Sequence, residues 1–231
     1  MVAKTMTQPA KLTIDIYSDV MCPWCIIGYA QLQKGLAMLE GEVEAEVRWL
    51  PFELNPNMPP EGEESVAHIA RKYGRTLEQA AAGRQQMQAA GERAGYSFAY
   101  TGDQPEPQSM LWNTFAAHKL LKWALIEGGA AVQTRLKQAL FDAHFQQRRN
   151  VSDPEVLVDV ATAVGLDPAG ARASLDDPAL GQIVRSEQEQ AFDMNISGVP
   201  AMLVQGKFLI PGAQEPEVYA QALRRVVAKG L

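Results

Sequence analysis

The chain has 231 residues, 47% of them hydrophobic and 21% charged, with a net charge of −6. That length suits one or two domains around a sizeable core, and the acidic balance argues against nucleic acid or an anionic membrane as partner. No stretch is apolar for long enough to span a bilayer, and residues 1–20 lack the apolar run and cleavage site of a secretory leader, so the expected compartment is the cytoplasm.

In chain order, the first predicted element is a strand at Leu12–Tyr17, with Leu12, Ile14 and Ile16 on one face and Thr13 and Asp15 on the other. A loop, Ser18 to Met21, leads into CPWC at 22–25, which opens a helix carrying Ile26, Tyr29, Leu32, Leu36 and Leu39 and closed by Gly41. Pro23 suits the first helical position, where its missing N–H costs nothing. A second strand follows at Glu44–Leu50, stopped by Pro51. LNPNMPPEGEE at 54–64 reads as a linker.

Helical patterns then dominate. Val66, Ile69, Ala70 and Tyr73 form a stripe closed by Gly74, and Thr76 with Gln79 predicts a capping box. Tyr96–Thr101 alternates briefly. One further helix carries Leu111, Phe115, His118, Leu121 and Leu125 and is expected to stop at Gly128-Gly129; the next carries Val132, Leu136, Leu140 and Ala143. Ser152 with Glu155 is expected to cap another, and Asp177-Pro178 opens the last. Ala201–Val204 and Phe208–Ile210 flank Gln205-Gly206-Lys207 as a hairpin, before a final helix from Pro216 to Lys229. The order is β–α–β, a helical block, then β–β–α. Joining the outer pieces gives one small mixed sheet, with residues 11–55 and 196–231 as one domain and 62–195 as an inserted all-helical domain.

The two cysteines of the chain, Cys22 and Cys25, both lie in the CPWC stretch. A bond between them closes almost no loop, so it is a poor structural staple. The attacking species in thiol chemistry is the thiolate, and the unpaired N–H groups and partial positive charge of a helix start favour it at Cys22. Cys25, one turn along the same face, is placed to attack Cys22 and release a client held as a mixed disulfide. Asp19 opposes this by like-charge repulsion unless its carboxylate points into solvent; its alternative reading is a plain turn residue. Inert core and a zinc site compete for the cysteines. Zinc needs four ligands, and His68, His118 and His144 sit in helical patterns without ligand spacing. Ser197-Gly198-Val199-Pro200 precedes the hairpin. Pattern alone favours an ordinary trans bond at Pro200; a cis bond would turn the backbone of Val199 outward, where it could pair with an extended client.

Strand, CPWC-headed helix, long helical stretch and GVP before a hairpin together resemble the thioredoxin fold of the DsbA-like family, and more closely its FrnE-like branch. The matching residues are SDVMCPWCIIG at 18–28, WLPFELNP at 49–56, NTFAAHKL at 113–120, LFDAHF at 140–145, GVPAMLV at 198–204 and PGAQ at 211–214. The resemblance implies a thioredoxin-fold α/β protein and a cytoplasmic thiol–disulfide oxidoreductase or isomerase. It makes Cys22 the nucleophile and Cys25 the resolving thiol, with Pro200 cis against them. Pro23 and Trp24 would tune the site, and Trp24 and Val199 would meet the client. No metal or organic cofactor is expected, only a redox partner such as glutathione or a thioredoxin; clients would be protein or small thiols and disulfides. The sequence is compatible with a homodimer through the inserted helices. Pro211, where a small hydroxyl residue is expected, and the basic QQRRN at 146–150 depart from the branch and bear on client preference. Two rivals remain: kappa-class glutathione transferases and the related isomerases, which have no use for Cys25, and a client-binding module with incidental thiols.

Overall fold

The computed structural model describes residues 8–230; the part of the leader reading that rests on residues 1–7 lies outside them. β1 (Ala10–Ser18), α1 (Pro23–Ala37) and β2 (Val43–Pro51) form the expected β–α–β unit, with β1 parallel to β2 and Ile16 opposite Trp49. β5 (Ala201–Val204) runs antiparallel to β1, placing Met202 opposite Ile16, and pairs with β6 (Phe208–Pro211). The sheet order is β2-β1-β5-β6. This is a thioredoxin-like fold with a helical insertion between β2 and β5. The hairpin turns at Gln205 and Gly206, both with positive φ; glycine takes this conformation at no steric cost.

β1 is the central strand, and both its faces are covered. Leu12, Ile14 and Ile16 join the core beneath α1 and the last helix, α8 (Pro216–Ala228), while Tyr17 packs with Phe52 and Ile196 on the other face. Asp15, expected on a polar face, is buried and held by Arg48 of β2 at 2.7 Å. Helices α1 and α8 approach closely at Gly35, where a Cβ would lie 2.8 Å from the carbonyl oxygen of Pro216.

Between the two halves of the sheet lie β3 (Glu63–Glu64), α2 (Ser65–Tyr73), α3 (Leu77–Ala94), β4 (Met110–Leu111), α4 (Phe115–Phe145), α5 (Pro154–Ala163), α6 (Pro168–Asp176) and α7 (Pro178–Asp193). The Thr76–Gln79 capping box is present. The stop expected at Gly128-Gly129 is present, since Gly129 leaves the helical conformation at φ 76°, ψ −178°; a second helical limb follows at once, so α4 is two limbs joined at a kink. Several expectations are corrected. The segment from Leu111 is not yet helical, because Met110–Leu111 pairs with β3 and Asn113 Oδ1 accepts the N–H of Phe115, starting α4 there. Asp153, not Ser152, caps α5 by accepting from Glu155 N, since the Ser152 hydroxyl is turned to Asn150. Helix α6 was not foreseen; its nine residues, PAGARASLD, carry too weak an apolar stripe to reveal it. The briefly alternating stretch Tyr96–Thr101 is loop, with the N–H of Thr101 donating to the carbonyl of Gln146.

One side chain of the insertion completes the edge of the sheet. Edge strand β2 turns the N–H and C=O of Trp49 outward, and Gln133 of α4 meets both, accepting the first and donating to the second at 2.9 Å each. A fully buried amide thereby replaces a missing neighbouring strand. Gln133→Ala strands two buried backbone groups at about 1–3 kcal/mol each. Urea denaturation of this variant is therefore expected to show a loss of about 2–6 kcal/mol; an unchanged midpoint would contradict the bridging role.

Candidate active site

The end of β1 and the first turn of α1 build the site. After Ser18 the chain turns through Asp19, Val20 and Met21, closed by a 3.2 Å bond from Cys22 N to Asp19 O. Cys22 is the N-cap residue of α1, in extended conformation, and Pro23 takes the first helical position as expected. Both cysteines are free thiols. Cys22 retains 3% exposure and Cys25 none, while Trp24 between them is 46% exposed. From the other half of the sheet comes Val199-Pro200, whose peptide bond is cis. The Cys22 thiol donates to the carbonyl of Val199 at 3.6 Å. Pro200 is buried behind, against α1 at Gly28, where a Cβ would lie 3.0 Å from the proline ring. All six residues picked out from the sequence are thus brought together. Cys22, Pro23, Trp24 and Val199 line a cavity of about 530 Å³ whose far wall comes from α2, α3 and the end of α4; Cys25 and Pro200 lie beneath it.

Residues 13–224 match the family of DSBA-like thioredoxin domains. The chain belongs to that family. It is 32% identical to a probable DsbA oxidoreductase from Streptomyces coelicolor, with a TM-score of 0.81 over 94% of this chain and 90% of that one. It is 28% identical to the uncharacterized Bacillus subtilis protein YwbO over 91% of this chain and 94% of that protein. The cytosolic disulfide reductase DsbM from Pseudomonas aeruginosa, solved with GSH, shares the fold at 17% identity, with a TM-score of 0.60 over 94% of this chain and 99% of that one.

The electrostatics of this DsbA-like site differ from the sequence reading. Asp19 does not face solvent. It is fully buried, accepting from the N–H of Leu54 at 2.7 Å and of Met21 at 3.3 Å, and burial raises its pKa despite those bonds. Its role is to lock the turn before Cys22 to the segment after β2. His118 Nε2 lies 3.9 Å from Asp19 and has no hydrogen-bond partner; burial, then the charge of Lys137, pushes its pKa well below the usual histidine value, so the imidazole is neutral.

Lys137 was missed from the sequence. It comes from the second limb of α4 and is completely buried, its Nζ without a hydrogen-bond partner. The ammonium lies 5.2 Å from the ring centre of Trp49 and 4.9 Å from that of Phe141, a geometry in which the ring faces attract the cation. Burial lowers its pKa to about 8, opposed by the negative charges of Cys25, Asp19 and Cys22. The available signal was the i, i+4, i+8 row Gln133, Lys137, Phe141, which sets two polar side chains on a face with an aromatic ring.

The helix start was expected to keep Cys22 ionised. Instead, the two sulfurs are in hydrogen-bond contact and titrate as a pair. Cys22 is pushed well above the ordinary cysteine value by its bond to Cys25, by burial, and by the charges of Cys25 and Asp19. Cys25 is lowered overall: burial opposes this, but the bond from Cys22, the charge of Lys137 and the Ser18 hydroxyl outweigh it. The first ionisation of the pair is thus eased and the second opposed, with the charge of Lys137 favouring the first. No cluster of three or more metal-ligating side chains occurs among the described residues. Absorbance at 240 nm should show one thiolate forming below the ordinary cysteine pKa and the second far above it. Lys137→Met should move the first step upward; two coincident steps near the ordinary value in the wild type would contradict this electrostatic account.

Proposed function

We propose that the chain is a thiol–disulfide oxidoreductase in which Cys22 is the nucleophile and Cys25 the resolving thiol. The observation that carries this is positional: Cys22 faces the cavity and the Val199 carbonyl, while Cys25 sits behind it in hydrogen-bond contact. Once the pair has lost its first proton, moving the other from Cys22 to Cys25 turns the outer sulfur into the attacking thiolate. Its attack breaks the client S–S bond and forms a Cys22–client disulfide, and the released client sulfur takes up a proton. Cys25 then gives up its proton and attacks Cys22, forming the Cys22–Cys25 bond and releasing the second client thiol; the reverse sequence oxidises a dithiol client.

Lys137 supports the oxidising direction. A buried cation stabilises the thiolate of the reduced form and loses that partner when the disulfide forms, so it favours reduction of the enzyme and oxidation of the client. We therefore read an oxidase or isomerase acting on protein or small thiols, of the FrnE-like branch. It needs no metal or organic cofactor and is recharged by a redox partner such as glutathione or a thioredoxin. The GSH-bound Pseudomonas aeruginosa reductase of the same fold supports a small thiol as one such partner. Cytoplasmic residence fits a chain that commits both cysteines to one site and keeps none for staples. Cys25 is what separates this reading from a glutathione transferase, whose chemistry needs no resolving thiol.

Insulin reduction by dithiothreitol is expected to accelerate in the presence of the protein. Cys22→Ser should return it to the uncatalysed rate, and Cys25→Ser should accumulate a covalent client adduct at Cys22 that mass spectrometry detects. Full activity in Cys25→Ser, or no acceleration by the wild type, would overturn the assignment.

A further inference from the structure

The cavity in front of Cys22 has a charge pattern opposite to that of the chain. Lys72, Arg75, Arg84 and Arg148 line it, and no aspartate or glutamate does among the described residues, although acids outnumber bases 27 to 21 in the sequence. Arg148 is committed, since its guanidinium is paired with Glu106 at 2.6 Å. Lys72 is tied to the carbonyl of Leu54 and the side-chain oxygen of Asn55. Arg75 and Arg84 have no ion-pair partner among the described residues. They are also neighbours. Arg75 leaves the turn between α2 and α3, and one of its terminal nitrogens would lie 3.4 Å from a Cβ at Gly83, the residue beside Arg84. An unpaired guanidinium on a cavity wall attracts an anion, and guanidinium matches carboxylate geometry in bidentate fashion.

We propose that Arg75 and Arg84 form the anion-recognition arm of the site and select small disulfides that carry carboxylates, whose sulfurs are then presented to Cys22. This deepens the exchange reading above and rests on it. The cavity, at about 530 Å³, lies within the roughly 300–1,000 Å³ of small-molecule sites. That size favours a low-molecular-weight client over an extended protein segment. The reaction is a full exchange. The reduced enzyme supplies two electrons and the proton left on its thiol pair, the client S–S bond breaks, the Cys22–Cys25 disulfide forms, and two client thiols leave, the second proton being taken from water. A cleft lined by charge of one sign also raises the encounter rate of the oppositely charged client.

The test is single-turnover oxidation of the reduced protein, followed by acid quenching and thiol alkylation. Three disulfides serve as probes: glutathione disulfide with four carboxylates, neutral hydroxyethyl disulfide, and cationic cystamine. The expected order is glutathione disulfide fastest and cystamine slowest, with roughly tenfold or more between the acidic and neutral probes after correction for their intrinsic reactivity. Arg75→Gln with Arg84→Gln is expected to reduce that ratio about tenfold, and Arg84→Glu to shift preference toward cystamine. Arg135→Gln, which removes the same charge outside the cavity, should keep the wild-type ratio. Salt of about 1 M, where the screening length is about 3 Å, should compress the ratio as the double variant does. Equal rates with all three probes, or an unaltered ratio in the double variant, would overturn the anion arm while leaving exchange chemistry intact. Failure of every probe to oxidise the wild type would instead remove the exchange reading, and this proposal with it.

Discussion

The structure depends on a balance of buried charge at the base of α1. A lysine ammonium without a hydrogen-bond partner is costly to bury, and Lys137 is tolerated because three sources of negative potential surround it: the thiol pair, Asp19 and the faces of Trp49 and Phe141. Each member conditions the others. Two backbone N–H groups and Lys137 favour the ionised form of Asp19, but its burial outweighs them and raises its pKa. The cation lowers the cost of the first ionisation of the thiol pair, while that first charge raises the cost of the second. His118, neutral beside Asp19, adds no second positive charge to the group. Oxidation of the thiols removes one partner from this balance, so redox state and electrostatic comfort are coupled through a single side chain.

That side chain belongs to the inserted helices rather than to the sheet. The second limb of α4 presents Gln133, Lys137 and Phe141 along one row toward β2. The first closes the open hydrogen-bonding edge at Trp49, the second supplies the charge, and the third packs on Trp49 edge to face with ring centres 6.0 Å apart. The insertion thus completes the site from below, and through α2 and α3 it also walls the cavity in front of Cys22. Client selection and sulfur ionisation draw on different parts of the same inserted segment. The kink at Gly129 allows both limbs of α4 to meet their separate targets, since no side chain at that position has to fit the left-handed conformation.

Much of the site was readable locally. Proline after Cys22 announces a helix start, and the CPWC spacing puts two thiols on adjacent turns of one face whatever the rest of the chain does. Capping by Thr76 and Gln79, the turn at Gln205-Gly206 and the apolar alternation of β1 are of the same kind, because each is settled by contacts within a few residues. The errors share a different origin. Asp19 was expected in solvent because nothing near it in sequence shows that the N–H of Leu54 will arrive to hold it. Ser152 lost its capping role to Asp153 when Asn150 captured its hydroxyl.

Sequence alone therefore determined the identity of the reactive atoms and the strand-and-helix frame that bears them. Those features follow from backbone preference and short-range hydrogen bonding, which act over a turn or two. Tertiary structure decided which sulfur faces the cavity, where its proton resides and which charges surround it. Electrostatic energy in a region without water depends on distance between groups far apart in the chain and on how completely they are buried, and neither quantity exists until the inserted helices have closed over the sheet.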